Sequence, residues 1–289
     1  MSNSTSNSTL PAGEVDHNLY GNFQPSKTAA YGYMALFVLS AFVHFIMIFP
    51  LRAAFFIPLI LGCAMEAGGY YCRAWSASNT HKILPFVISS LLILAAPPML
   101  AATVYMTFGR IIRNLKAATF SIISPRWLTS LFVLGDVICL GSQLAGSVLR
   151  ASDDLQTNQT GSHIVLAGLI LQVVMFSFFG LLVAIFHARY TRSGEDIGLG
   201  WKKHVVMLYV LSVVFVVRNI VRIVEFTQSG DGYIAMHESM LYLFDGSFML
   251  FVSVLFLLVH PGRLLREARR FHKKDRFTMG SEMVPIIPK

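Results

Sequence analysis

The sequence predicts an all-α integral membrane protein: a bundle of seven transmembrane helices followed by an amphipathic surface helix. Three observations predict it. Hydrophobic residues make up 55% of the 289-residue chain, charged residues only 13%, and the mean hydropathy is +0.61; a soluble domain carries about a quarter charged residues. Seven apolar stretches lie near 28–49, 53–73, 83–107, 127–149, 163–187, 204–225 and 238–260, each close to the roughly 20 residues that cross a bilayer. Basic residues gather in alternate connections.

Organisation follows from that pattern. Residues 1–27 form a polar tail, 28–260 the membrane domain and 261–289 a basic tail. The first 27 residues have neither a basic segment nor an apolar core, so they are not expected to be a cleaved signal peptide. The first two spans are separated only by Pro50, Leu51 and Arg52, which demands a tight hairpin. With the N-terminus outside, inside segments hold Arg52, Arg110, Arg113, Lys116, Arg126, Arg189, Arg192, Lys202 and Lys203. They also hold Arg263, Arg266, Arg269, Arg270, Lys273, Lys274, Arg276 and Lys289, making 17 of the 23 basic residues. Lys and Arg favour the cytoplasmic side, so the N-terminus is expected outside and the C-terminus inside. The sequons at Asn3, Asn7 and Asn158 then fall outside, Asn158 in the loop after the fourth span. The net charge of +8 is a topology signal rather than a sign of nucleic-acid binding.

Ionisable residues inside spans are the candidates for function. A charge at the bilayer centre costs at least about 2.5–3.5 kcal/mol on insertion scales. Glu66 and Arg73 stand seven apart in the second span, with Gly69 and Tyr70 near the same face; Asp136 and Gln143 repeat that spacing in the fourth. Arg218, Arg222 and Glu225 form a stripe in the sixth, and Glu238 and Asp245 stand seven apart in the seventh, next to His237. Each set lies on one side of a helix and must face the bundle interior. Most of these residues fall in the outer half of their spans, Asp136 deeper, and His44 lies in the inner third of the first. The pattern predicts a polar cavity that opens outward and narrows toward the midplane. The alternative is a set of ion pairs that only lock the helices together.

Other features are more modest. Pro97-Pro98 is expected to break or kink the third span, because two backbone donors are missing, and Pro58 to bend the second. Tyr31, Tyr33, Trp75 and Trp127 read as interfacial anchors. Cys63, Cys72 and Cys139 contain no CxxC pair and read as packing residues, not a disulfide framework. Beyond Pro261-Gly262, the segment 263–276 places Leu264, Leu265, Ala268 and Phe271 on one face against many cations. That is a helix for the inner leaflet and its anionic lipids.

The motifs then become specific. Glu66-Ala67-Gly68-Gly69-Tyr70-Tyr71-Cys72-Arg73 resembles the Glu-x-x-Gly-Tyr-x-x-Arg signature of the fungal lipid-translocating exporters, the RTA-like proteins of aminocholesterol and sphingoid long-chain-base resistance. Ala96-Pro97 with Ala102, Tyr105, Gly109 and Arg110 resembles that family's third span, and Asp136, Gln143 and Gly146 its fourth. Arg218, Arg222 and Glu225 are similar to its sixth; His237-Glu238, Tyr242, Asp245 and His260-Pro261-Gly262 to its seventh. The resemblance runs over about residues 20–275. One departure is visible: the family opens with Tyr-x-Pro-Ser and a following Asn, where this chain has Phe23, Pro25, Ser26 and Ala30. The resemblance implies seven spans, a fungal source and resistance to membrane-active lipids or drugs.

Three functions remain in play. The first is binding and translocation of an amphiphile such as a sphingoid base, lysolipid or sterol-like compound, with Glu66, Tyr70, Arg73, Asp136, Gln143, Arg218, Arg222, Glu225, His237, Glu238 and Asp245 as ligand-binding candidates. The second is a receptor-like lipid or stress sensor. The third is an intramembrane metal hydrolase, for which no helical pair of His residues exists. The first reading makes the chain no enzyme, with no cofactor, no metal and no catalytic residue. No GxxxxGK[ST] phosphate loop is present, so carboxylates such as Glu66, Asp136 and Asp245 are the candidates for coupling to protons. Expected partners are a membrane lipid or amphiphilic ligand and anionic inner-leaflet lipids at the basic tail, with no nucleic acid; homodimerisation stays open. The expected location is the plasma membrane, the alternative an endomembrane such as the endoplasmic reticulum or vacuole.

Overall fold

The computed structural model describes residues 20, 25–150, 154–194, 200–228 and 238–268. Seven helices long and apolar enough to cross a membrane organise them. They are α1 (Lys27–Leu51), α2 (Ile57–Ser76, entered through a short turn at Ala54–Phe56), α3 (Ile83–Asn114), α4 (Pro125–Arg150), α5 (Leu155–Arg192), α6 (Lys202–Thr227) and α7 (238–258). A further short helix, α8, covers 261–268. The stretches read from hydropathy correspond to these one for one.

Local chemistry sets the ends. Ser26 caps α1 by accepting from the Ala29 amide at 3.3 Å. Arg52 ends that helix in the left-handed conformation (φ 49°) with its amide returned to the last turn, which makes the tight α1–α2 hairpin. Pro58 sits in the first turn of α2, where a missing amide costs nothing, so it starts the helix instead of bending it. Pro97 and Pro98 lie inside α3, and the helix continues through them unbroken; the bundle around them outweighs two lost hydrogen bonds. Asp154 caps α5 by accepting from the Thr157 amide at 3.0 Å and its hydroxyl at 2.6 Å. α5 therefore begins about two turns before its hydrophobic stretch, and Asn158, expected in a loop, lies in the first turn of a helix with its amide on the Arg150 carbonyl. Asn3 and Asn7 lie outside the described residues.

Sequence neighbours pack antiparallel and α7 closes the bundle. Gly62 and Gly69 let α2 approach α3, where an added Cβ at Gly69 would fall 2.7 Å from Ile93. Gly146 of α4 and Gly161 of α5 bring two backbones together; a Cβ on Gly161 would lie 2.6 Å from the Gly146 carbonyl oxygen. Such small residues are what close helix crossings in lipid require. α7 meets α6 antiparallel through Asp245, and runs parallel to α1, pairing Tyr33 with Ser247 and Ser40 with Ser253. The face where α1 begins is called the first face below, the opposite one the second.

The edges of the bundle follow expectation with two exceptions. Tyr31, Trp75 and Trp127 are exposed. Tyr33 instead points inward, because its hydroxyl bonds Ser247 at 2.6 Å. In α8, Leu264, Leu265 and Ala268 are buried in the protein, so this part of the apolar face is covered by the bundle and not by lipid; Phe271 lies outside the described residues. All three cysteines are free, with Cys63 and Cys139 buried.

Candidate functional site

The charged stripes of α6 and α7 meet in the half of the bundle nearer the first face. Asp245 sits in a π-helical turn, Tyr242–Ser247, that interrupts α7. Such turns shift side-chain direction and recur at functional sites. Arg218 reaches Asp245 Oδ1 with Nε and Nη2, both at 2.6 Å. Arg222 pairs with Asp245 Oδ2 and, through Nη1, with Glu225 Oε2 at 3.1 Å. Arg218 also donates to Asn219 Oδ1 at 3.3 Å. Side-chain exposure separates the members: Arg218 and Asp245 retain 4% and 3%, whereas Arg222 and Glu225 retain 20% and 31%. The first two are an internal pair; the second two form a rim.

That rim borders a shallow cleft, open at its mouth, lined by Arg218, Val221, Arg222 and Glu225 of α6 and Met240, Leu241, Phe244 and Asp245 of α7. Charge lies at its floor and apolar side chains at its walls. Ile220, Val224 and Leu243 continue the apolar surface outward.

Aromatic rings cover the cluster's inner side. Tyr33, Tyr70 and Tyr242 form a triangle with centroids 5.1–5.7 Å apart. Gly246 makes room for it: a Cβ there would fall 2.5 Å from the Tyr70 hydroxyl oxygen. The Arg73 guanidinium lies over Tyr20 and Tyr242 at 5.4 and 5.8 Å.

Glu66 behaves differently from the other described acids in the set. It is fully buried, and among the described residues neither carboxyl oxygen has a hydrogen bond. Asp245, Arg218 and Arg222 are the charged groups that act on it, yet none forms a bridge to it.

Two candidates belong elsewhere. Asp136 is buried on α4 and accepts from the Tyr105 hydroxyl of α3 at 3.0 Å. Tyr105 lies nine residues beyond Ala96, the α3 residue beside Gly62, or about 13 Å further along the helix. Gln143, also buried, has no partner for its Nε2 and packs beside Gly168 of α5. His237 and the Glu238 side chain lie outside the described residues.

A second polar cluster, nearer the second face, escaped the search for charged residues. Ser253 of α7 bonds Ser40 and meets His44 Nε2 at 3.1 Å and Cys63 Sγ at 3.5 Å. Its signal was readable as Tyr33, Ser40 and His44 on one face of an otherwise apolar α1. Among the described residues, no three His, Cys, Asp or Glu side chains gather as metal ligands.

With this geometry in place, similarity to other proteins becomes informative. Residues 59–268 match the family described as RTA1 like protein. The chain belongs to that family. It is 41% identical to Protein RTM1 of Saccharomyces cerevisiae over 206 residues, covering 70% of this chain and 66% of that protein. It is 41% identical to Protoporphyrin uptake protein 1 of the same yeast over 204 residues, 70% of this chain and 67% of that one. It is 25% identical, over its whole length and 84% of the other chain, to Sphingoid long-chain base transporter RSB1. No solved structure matches. The matched region runs from the first turn of α2 to the end of α8, and so holds every described charged residue of the cluster.

Proposed function

We propose that this membrane protein binds an amphiphile with its polar head in the α6–α7 cleft and its tail along the apolar helix surface, and moves it across the bilayer. The cleft itself carries the reading: Arg222 and Glu225, of opposite sign, stand at its rim beside exposed apolar walls. Arg222 suits a phosphate or carboxylate, and Glu225 an ammonium. Asp245 is buried and already held by two arginines, so the more exposed Arg222 and Glu225 are the groups a ligand meets first. Sphingoid bases, lysolipids and sterol-like compounds have the required shape, and the name of one relative, a sphingoid long-chain base transporter, supports the first of these. Removing such compounds from a leaflet would confer resistance to them.

The reading places the first face outside, at the plasma membrane, and the basic segment after 261 against anionic lipid. It includes no catalytic step. A tag before Met1 should be reachable on intact cells and one after Lys289 only after permeabilisation.

The test is reconstitution in phosphatidylcholine vesicles with a fluorescent sphingoid base or lysolipid, reading loss of signal to an external quencher. The protein should speed exchange between leaflets over protein-free vesicles, and Arg222→Gln with Glu225→Gln should remove most of the gain. Equal rates with and without protein would refute translocation. Saturable binding without exchange would favour the sensor.

A further inference from the structure

The cleft does not explain Glu66. It is absent from the cleft lining and fully enclosed. No headgroup reaches it in this conformation; a proton can. An ionised carboxylate buried without a partner is too costly to persist, so the closed site holds the proton.

A chain of exchangeable groups begins one turn from Glu66 and runs toward the second face. Cys63 lies one turn away on the same helix. Its thiol donates to Ser253 Oγ at 3.5 Å. Ser253 also bonds Ser40 and lies 3.1 Å from His44 Nε2. The same nitrogen lies 3.1 Å from the Ser253 carbonyl oxygen. His44 can therefore accept from the hydroxyl when Nε2 is bare and donate to the carbonyl when it is protonated. Its Nδ1 is buried with no partner. Beyond it, the His260 ring lies 6.5 Å away and stacks on Phe56 at 4.3 Å. In the other direction the path is closed. The three tyrosine rings stack between Glu66 and the first face, with the cation of Arg73 beyond them.

We propose that Glu66 is a proton-binding site and that Cys63, Ser253 and His44 are the path by which its proton exchanges with the second face. The step balances without any other reactant. The Glu66 side chain, unbonded here among the described residues, first turns toward Cys63; the carboxyl O–H bond then breaks and its proton joins Cys63 Sγ. The thiol proton passes to Ser253 Oγ, whose own proton forms an N–H bond at His44 Nε2. A carboxylate and an imidazolium result, and the imidazolium releases its Nδ1 proton toward His260. The groups facing Glu66 are Asp245 of α7, Arg218 and Arg222 of α6, and Tyr70 and Cys63 of its own helix. Those facing the other end are Ser40, Ser253 and His260, with Arg263 and His204 beyond.

The consequence for the cleft rests on the amphiphile reading; the proton site does not. With Glu66 protonated, Asp245 alone holds Arg218 and Arg222. With Glu66 ionised, two carboxylates compete for the same cations. Proton occupancy would thus set how firmly the floor of the cleft is tied, and would couple transport to a pH difference.

Infrared spectroscopy of the full-length protein in phosphatidylcholine nanodiscs, without amphiphile, tests the site. The wild type should show a protonated-carboxyl stretch at neutral pH that Glu66→Gln removes. If Glu66→Gln does not fold, a frequency shift of that band in Glu66→Asp makes the same assignment. In heavy water the band should shift as the proton exchanges, and His44→Phe, whose ring keeps the stack on Phe56, should slow that shift several-fold; Ser253→Ala is the second variant. If neither Glu66 substitution alters the band, the proton site is refuted. If Glu66 accounts for the band but exchange is as fast in His44→Phe and Ser253→Ala, the path is refuted. Because no amphiphile is added, these results stand apart from those of the translocation assay.

Discussion

Replacing Asp245 by Asn should be the most damaging single change in the cluster. Asn keeps the size and one acceptor but removes the charge that holds Arg218 and Arg222. Both arginines would stay in place, Arg218 with 4% exposure. Removing one partner of a buried ion pair costs about 3–5 kcal/mol, and for a chain of this size each kcal/mol lowers the melting midpoint by about 2 °C or more. Asp245→Asn should therefore melt about 6–10 °C below wild type. Arg222→Gln should cost much less, because Arg222 is 20% exposed and Asp245 keeps both contacts from Arg218. A thiol-reactive fluorophore reads the transition directly, since Cys63 and Cys139 are buried until the bundle opens. The reasoning fails if Asp245→Asn melts with wild type, or if Arg222→Gln is the more damaging change.

Three further predictions follow from single contacts. Tyr105→Phe keeps the ring packing against Phe132 and Phe179 but strips from buried Asp136 the side-chain hydrogen bond it has among the described residues. It should cost about 1–3 kcal/mol in the same melt, while Asp136→Asn in that background should recover part of it. Gly161→Ala puts a methyl group against the Gly146 carbonyl and the Arg150 amide, which cannot turn aside. It should destabilise by about 1–3 kcal/mol, with faster hydrogen exchange localised to the α4–α5 ends. Asp154 is held by the Thr157 hydroxyl and amide, which keep its carboxyl below its ordinary value. A depressed acid stabilises above its unfolded value and loses that contribution as pH falls through the folded one. Exchange protection at Thr157 should accordingly drop in acid, and Asp154→Asn, still a good cap, should make it indifferent to pH.

The fold was legible because lipid imposes one rule on every span. Continuous apolar runs marked all seven helices, and Pro50-Leu51-Arg52 marked the first hairpin. Boundaries failed where a polar cap reached past the apolar run, as Asp154 does. Pro97-Pro98 does not break α3, because a helix breaker in water is tolerated where neighbours pack around it. Within the cluster, Glu66, Arg218 and Asp245 lie on buried faces of their helices, as the spacings suggested. Among the described ion pairs of the cluster, only Arg222–Glu225 lies within one helix; which acid would capture Arg218 depends on rotation and depth. That is why Asp245 and Glu66, alike in sequence, end with two arginines and with none. Asp136 shared their spacing but serves α3 and α4, because its partner is a tyrosine that no charge pattern reveals. Tyr33 looked like an interfacial anchor, since position along a span does not tell inward from outward.

Photoaffinity mapping tests the central claim most directly. A sphingoid base carrying a photoactivatable group near its head should be cross-linked to the reconstituted protein and the adducts located by mass spectrometry. The account predicts adducts concentrated in 217–225 of α6 and 238–248 of α7, competed by unlabelled base and lost in Arg222→Gln with Glu225→Gln. Adducts spread over all lipid-facing helices, or confined to the α4–α5 side, would contradict it.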